Sequence, residues 1–237
     1  MDRQEPEDKY ISTVREEYAR IDESWLLLHY KITAALVVFA FLAELTMGLF
    51  LANSDLLSTT VGRFVLKYMV VPGGVNFALL AVATLVIHAR GLSQTAKIYG
   101  ISLLFVSINF VLFVVHGAFA SIYYIAGIAV LLTVIYADYT VTGATALASV
   151  AAMAAAELFT KWDTDKVSVF ESTHRLGEVL VSLLVLLAFS LTAMVVVRFE
   201  RKKNLVSLQK EVQRQQLQHS LQLDDMTGIY NRKAFYD

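Results

Sequence analysis

The chain has 237 residues, of which 57% are hydrophobic and 17% are charged, and its formal net charge at pH 7 is -1. This composition is more apolar and less charged than that of a soluble globular domain, so we expect most of the chain to lie in a lipid bilayer. The near-neutral charge argues neither for nor against an anionic partner such as nucleic acid. We expect no nucleic-acid partner. The absence of cysteine excludes disulfides, thiolate metal sites and thiol redox chemistry.

Residues 1–31 are mostly polar and are predicted to form an amphipathic helix on the cytoplasmic side. Their apolar residues alternate at spacings of three and four, which is the seam of a helix that packs on another surface. The seam consists of Ile11, Val14, Tyr18, Ile21, Trp25 and Leu28. It suits a helix that lies along the bilayer or packs within the chain, and a dimer contact is the alternative.

Residues 32–199 are predicted to form an all-α membrane domain with six transmembrane helices, since six apolar runs approach the ~20 residues that cross a bilayer. The runs are Ile32–Ala52, Gly74–Ala89, Ile98–His116, Ala118–Tyr136, Thr142–Phe159 and Leu176–Phe199. The second is the weakest, because Pro72 and two glycines interrupt it; if Val61–Val71 joins it, the helix is kinked rather than short.

Basic residues indicate how the predicted spans are oriented in the membrane. Arg198, Arg201, Lys202 and Lys203 cluster at the end of the last apolar run, and such clusters tend to remain in the cytoplasm. An even number of crossings then places the N-terminus in the cytoplasm as well. The sequence therefore predicts a multi-pass protein with both termini inside.

Five polar residues within the apolar runs are candidates for a sensor pocket in the outer half of the bundle. Ionisable and amide side chains at that depth are costly and are functional candidates by default. The five are Glu44, Asn109, His116, Glu157 and Glu178. Tyr123, Tyr124, Trp162 and His174 are expected near the same mouth. The alternative is structural, since Glu157 and Glu178 lie near span ends and aromatic residues form ordinary interfacial belts. No His pair has metal-binding helical spacing, so a metal site would have to be assembled from different spans, and no metal ligand is assigned here.

Residues 200–223 lack proline and glycine and are predicted to continue the last span as one long helix. Leu205, Leu208 and Val212 keep a three-four rhythm, which Gln215 and His219 then break. The segment is either a polar spacer or a parallel two-stranded signalling coiled coil whose register shifts at the break.

Residues 224–237 carry the most specific motif in the chain. The stretch from Asp224 to Phe235 reads as D-x-[LM]-T-G-[LI]-x-N-R-[RK]-x-F. It resembles the opening of the GGDEF domain of diguanylate cyclases. Thr227 and Gly228 suit a turn before a helix. Asp224, Asn231 and Arg232 are expected to complete a hinge between the signalling helix and the domain, of which only the first helix would be present.

The resemblance implies a bacterial inner-membrane sensor that controls a diguanylate cyclase, which joins two GTP molecules into cyclic di-GMP and releases two pyrophosphates. It implies magnesium as the cofactor of the catalytic domain, a homodimer through the helix after the last span, and an unknown external ligand. The family's catalytic residues would lie beyond Asp237, so none is assigned here.

Three alternatives stand beside this reading. The GGDEF domain could be degenerate and bind nucleotide without converting it. The chain could be a transporter with a chance tail, although no convincing internal repeat is present. A histidine-kinase receptor would require a phospho-acceptor histidine after the membrane, but the neighbours of His219 lack the expected acidic residue and proline.

Overall fold

The structure is a computed structural model that describes residues 4–52, 59–117, 119–162 and 166–222. Every regular element in these ranges is a helix, which confirms the predicted all-helical class. The α-helices are α1 (Gln4–Ala52), α2 (Val61–Val65), α3 (Val71–His88), α4 (Gln94–His116), α5 (Ile125–Val134), α6 (Tyr139–Leu158) and α7 (Thr173–Gln222). A π-helical turn, Leu66–Val70, joins α2 to α3, and a 3-10 turn, Ala120–Tyr124, precedes α5.

The predicted hinge of the GGDEF-like signature lies outside the described residues. It comprises Asp224, Thr227, Gly228, Asn231 and Arg232. The side chains of Ile11, Val14 and Tyr18 in the N-terminal seam, and of Gln215 and His219 at the register break, are outside them as well.

Among the described residues, five helical stretches are long and apolar enough to cross a membrane, which supports a multi-pass membrane protein. They are Ala19–Leu51, Val61–His88, Gln94–His116, Tyr139–Leu158 and Thr173–Arg214. The fourth predicted span, Ala118–Tyr136, instead contains the 3-10 turn and a shorter apolar helix. The six-span count therefore remains a prediction.

The weakest predicted span joins the segment before it into one continuous stretch, Val61–His88. Proline has no N–H group, and inside an α-helix its ring collides with the carbonyl four residues earlier. The helical turn widens just before Pro72, where the backbone N–H of Val71 donates to the carbonyl of Leu66, five residues earlier. This π turn accommodates the proline without ending the helix.

Side-chain caps fix where two of the helices begin. The Ser93 hydroxyl accepts the backbone N–H of Ala96 at 3.2 Å at the start of α4. A carboxylate oxygen of Asp138 accepts the N–H of Thr140 at 2.7 Å at the start of α6. Such caps satisfy amides that have no partner within the helix, so both helices start in the polar loops ahead of the apolar runs.

The core forms around α4, the most enclosed of the membrane helices, with α6 second. The helix α4 packs against α3, α5 and α6. On one side, α1 packs on α3 through the rings of Phe41 and Phe77. On the other, α7 approaches α5 closely, since a β-carbon on Gly127 would lie 3.3 Å from the ring of Phe189.

The chain divides into two compact units. One is Trp25–Val197, which contains the core and every residue of the site described below. The described parts of Met1–Ser24 and Arg198–Asp237 belong to the other unit.

Candidate functional site

The carboxylate of Glu157 organises the polar end of the bundle, where α4 and α6 end and α7 begins. Its side chain is fully buried, and it receives three donors. Oε1 accepts the Tyr123 hydroxyl at 2.5 Å and Lys166 Nζ at 3.1 Å, while Oε2 accepts Arg175 at 2.9 Å. A buried carboxylate is tolerated when it is paired and its lone pairs are satisfied in this way.

Each donor to Glu157 comes from a different part of the chain. Tyr123 belongs to the 3-10 turn, Lys166 to the loop after α6, and Arg175 to the first turn of α7. Lys166 Nζ also donates to the carbonyl oxygen of Ala156 at 3.1 Å. That carbonyl belongs to the last turn of α6, where a cation interacts favourably with the helix dipole.

Glu178 extends this group along α7. Arg175 donates to its Oε2 at 3.1 Å, and His174 Nδ1 lies 3.5 Å from its Oε1. The Arg175 guanidinium therefore bridges the buried carboxylate of Glu157 and the partly exposed one of Glu178, whose side chain is 28% exposed. We call Tyr123, Glu157, Lys166, Arg175 and Glu178 the Glu157 network.

A second carboxylate lies next to this network. Glu44 Oε1 of α1 is 3.0 Å from His116 Nε2, and the Glu44 side chain is only 4% exposed. Its other oxygen, Oε2, has no hydrogen-bond partner among the described residues. His116 is followed directly by Gly117, whose carbonyl accepts a hydrogen bond of 3.3 Å from Tyr123. The Glu44–His116 pair and the Glu157 network are thus joined through one short stretch of backbone.

Gly117 is needed for this close approach. A β-carbon at this position would lie 2.9 Å from Glu157 Oε1 and 2.9 Å from the carbonyl oxygen of Phe113. Any side chain would push the carboxylate away from its donors, because the second neighbour is backbone and cannot rotate aside.

Asn109, the remaining predicted site residue, lies apart from these ion pairs. It precedes His116 by two turns of α4 and is 1% exposed. Neither its Nδ2 nor its Oδ1 has a hydrogen-bond partner within the described part of the chain. A buried amide without partners is costly, so this position is polar for a reason that the packing of α4 does not supply.

A cavity of about 530 Å³ lies beside the Glu157 network. Trp162 and His174, which the sequence placed near a pocket mouth, both line it. Arg175, Glu178 and Lys166 contribute the charged part of its wall, and Tyr68 of the π turn adds an aromatic ring. Tyr124 is half exposed and does not line this cavity.

Sequence reasoning missed the two cations of the network. Lys166 and Arg175 lie outside the predicted pocket residues, although each is paired with the buried carboxylate of Glu157. It also missed His29, which is buried in α1 with Nδ1 3.2 Å from the Tyr136 hydroxyl. His29 lies on a buried face of α1 with Leu26 and Thr33, whereas Trp25 and Leu28 of the predicted seam are exposed, so the seam gave no signal for it.

Within the described ranges, no group of three or more His, Asp or Glu side chains has the arrangement of a metal site. Glu157 and Glu178 are paired with Lys166 and Arg175, an arrangement that suits a charged or polar organic ligand or an exchange of ion-pair partners. Comparisons with protein-family models, with curated proteins and with solved structures find no match to this chain.

Proposed function

We propose that this chain is the membrane sensor part of a diguanylate cyclase whose catalytic domain continues past Asp237. The single observation that carries the proposal is the D-x-[LM]-T-G-[LI]-x-N-R-[RK]-x-F motif that begins at Asp224. The motif follows directly after α7, as a domain controlled by that helix would.

The polar end of the bundle supports a sensing role. Arg175 lies in the first turn of α7 and holds Glu157 of α6. The same helix continues to Gln222, next to the GGDEF-like motif. A ligand or proton that changes the partners of Arg175 would therefore act on the helix that leads to the output domain. Such control requires that the ligand bind the two states of the helix with different affinity.

Six crossings with both termini in the cytoplasm fit this function, because GTP is a cytoplasmic substrate. The fourth crossing would consist of the 3-10 turn and α5, which together are about 25 Å long at the usual rise per residue. This is close to the ~30 Å of the hydrocarbon core. The Glu157 network would then face the outside of a bacterial plasma membrane.

In the complete protein, the 3'-hydroxyl of each GTP would attack the α-phosphate of the other, and two pyrophosphates would leave. Magnesium bound by the catalytic domain would activate the hydroxyl and neutralise the phosphates. The two active sites would meet in a homodimer through the helix after Phe199. The resemblance assigns no catalytic residue to this chain, whose part in the reaction would be the dimer helix after Phe199.

The experiment is incubation of two purified proteins with GTP and magnesium ions. The protein extended past Asp237 through its next domain should form cyclic di-GMP, and the 237-residue chain should form none. GTP binding without product would favour a degenerate domain. An extended protein that neither binds nor converts GTP would overturn the proposal, and substrate flux through vesicles that contain it would favour a transporter.

A further inference from the structure

The cavity beside the Glu157 network combines a charged wall with an apolar one. Arg175, Lys166 and Glu178 lie on the charged side, and Val114 and Val115 of α4 lie on the apolar side. At about 530 Å³ the cavity has the size of a site for a small organic molecule. All of its walls belong to the unit Trp25–Val197.

Hydrogen-bond donors outnumber free acceptors around this cavity. Both oxygens of Glu157 already accept donors from within the network. A guanidinium has five N–H groups, and the two ion pairs of Arg175 use two of them. Trp162 Nε1 is buried and has no hydrogen-bond partner among the described residues. An occupant that accepts hydrogen bonds is therefore favoured over one that donates them.

The charges of the wall argue against a dianion and against a cation. Lys166 and Arg175 are balanced by Glu157 and Glu178. A dianion would meet both carboxylates at close range. A cation would meet Lys166 and Arg175, each of which has a side chain only 14% exposed.

We propose that the cavity binds a small organic carboxylate with an apolar body, and that its carboxylate replaces Glu178 on the Arg175 guanidinium. Arg175 already holds a carboxylate in this position, so the geometry suits the exchange. Glu178 is partly exposed and can turn to water at little cost. The apolar body would pack on Val114, Val115 and the Trp162 ring. This carboxylate site would supply the ligand for the proposed sensing role, and its biological meaning rests on that proposed function.

The exchange would act directly on α7. Arg175 and Glu178 are one turn apart on this helix and are paired with each other. A bound carboxylate frees Glu178 while Arg175 keeps its bond to Glu157. The ligand would thus change the pairing within the first two turns of α7 without breaking the buried part of the network.

Trp162 supplies the readout for a test on the 237-residue chain in detergent, with benzoate as the probe. The chain has two tryptophans, so Trp25→Phe leaves Trp162 as the only one. Benzoate should change the fluorescence of Trp162 saturably. Benzyl alcohol and benzylamine, which lack the carboxylate, should not. The matched Trp162→Phe variant, which keeps Trp25, should show no saturable change.

Two substitutions in the Trp25→Phe background test the exchange. Glu178→Gln removes the competing carboxylate and should tighten benzoate binding by about two- to fivefold, the range expected for a partly exposed ion pair. Arg175→Gln should weaken it by about tenfold or more. Glu178→Gln keeps the buried pairs of Glu157 with Lys166 and Arg175. It therefore tests the proposed exchange even if Arg175→Gln does not fold.

Absence of saturable benzoate binding to both the Trp25→Phe chain and its Glu178→Gln variant would overturn the inference. So would equal binding of benzyl alcohol, or benzoate affinity that Glu178→Gln leaves unchanged or weakens. These measurements need no cyclase domain. Failure here would leave the proposed cyclase function standing, and an inactive extended protein would leave the carboxylate site standing.

Discussion

Glu157 is the residue on which the polar end of the bundle depends most. Its fully buried carboxylate lies between two cations, which stabilise a negative charge that would not be stable there alone, and Glu178 balances the second cation. Glu178 carries the same charge, but its side chain is partly exposed and water can replace its partner. These two glutamates, one at the end of α6 and the other near the start of α7, therefore have different roles.

Glu157→Gln should destabilise the chain by about 3 kcal/mol or more, because it removes the buried carboxylate that Arg175 holds and leaves Lys166, whose side chain is only 14% exposed, without a carboxylate partner among the described residues. Glu178→Gln should cost less than about 1 kcal/mol. Unfolding of the purified protein in mixed micelles with increasing denaturing detergent measures both. Equal losses of unfolding free energy in the two variants would show that burial does not make one carboxylate more important for stability than the other.

Asn109 presents the opposite case, a buried amide with no partner among the described residues. Asn109→Leu should leave stability unchanged or raise it by about 1 kcal/mol, because an unpaired buried amide costs more than an apolar side chain of similar size. The matched control is Ser102→Ala on the same face, where the hydroxyl donates to the Ile98 carbonyl and its loss should be slightly destabilising. A loss above about 1 kcal/mol in Asn109→Leu would mean that the amide holds a bound partner.

At the scale of elements, the junction between α4 and the 3-10 turn sets the geometry of the network. Gly117→Ala should cost about 1–3 kcal/mol, as overpacking against fixed backbone does. Gly91→Ala is the control, since nothing lies within 4 Å of a β-carbon there, and its effect should stay within about 0.5 kcal/mol. The same micelle unfolding assay compares the two. Equal stability would mean that the turn can move to admit a methyl group.

The 3-10 turn and α5 also decide how often the chain crosses the membrane. The absence of native cysteine allows single-cysteine variants to be labelled without background. Phe119→Cys and Phe170→Cys should react with an impermeant maleimide in intact cells, and Gly91→Cys and Tyr139→Cys only after permeabilisation. Labelling of Phe119→Cys and Tyr139→Cys from the same side would show that α5 does not cross.

Apolar runs located the membrane helices well but not their ends. The third predicted span began at Ile98, whereas α4 begins at Gln94, because its cap Ser93 lies in a polar loop that hydropathy ignores. The run Ala118–Tyr136 gave no sign that its first part would form a 3-10 turn. Hydropathy reports where a segment prefers to lie, and it does not distinguish one helical hydrogen-bond pattern from another.

The site was predictable only in part, for a related reason. Glu44, His116 and Glu157 stood out because ionisable residues are rare in apolar runs. Their partners could not be paired from sequence: Lys166 reaches Glu157 only because the loop after α6 folds back on the end of that helix. The contact of Glu44 with His116 joins residues that are 72 positions apart.

At the scale of the whole molecule, we propose that the polar end of the membrane bundle controls a diguanylate cyclase through α7. A substitution at Glu44 tests this control better than one at Glu157, because it disturbs fewer contacts. Among the described residues Glu44 pairs with His116, and its second carboxylate oxygen has no hydrogen-bond partner. Glu44→Gln should therefore change signalling with less damage to the fold.

The decisive measurement is the rate of cyclic di-GMP formation by the protein extended past Asp237, in membranes, at matched amounts of wild type and Glu44→Gln. We expect the wild type to convert GTP and the rate of the variant to differ from it by about fivefold or more, the lower end of typical coupling between sites. Equal rates would contradict control by this end of the bundle, and no cyclic di-GMP from the wild type would contradict the cyclase itself.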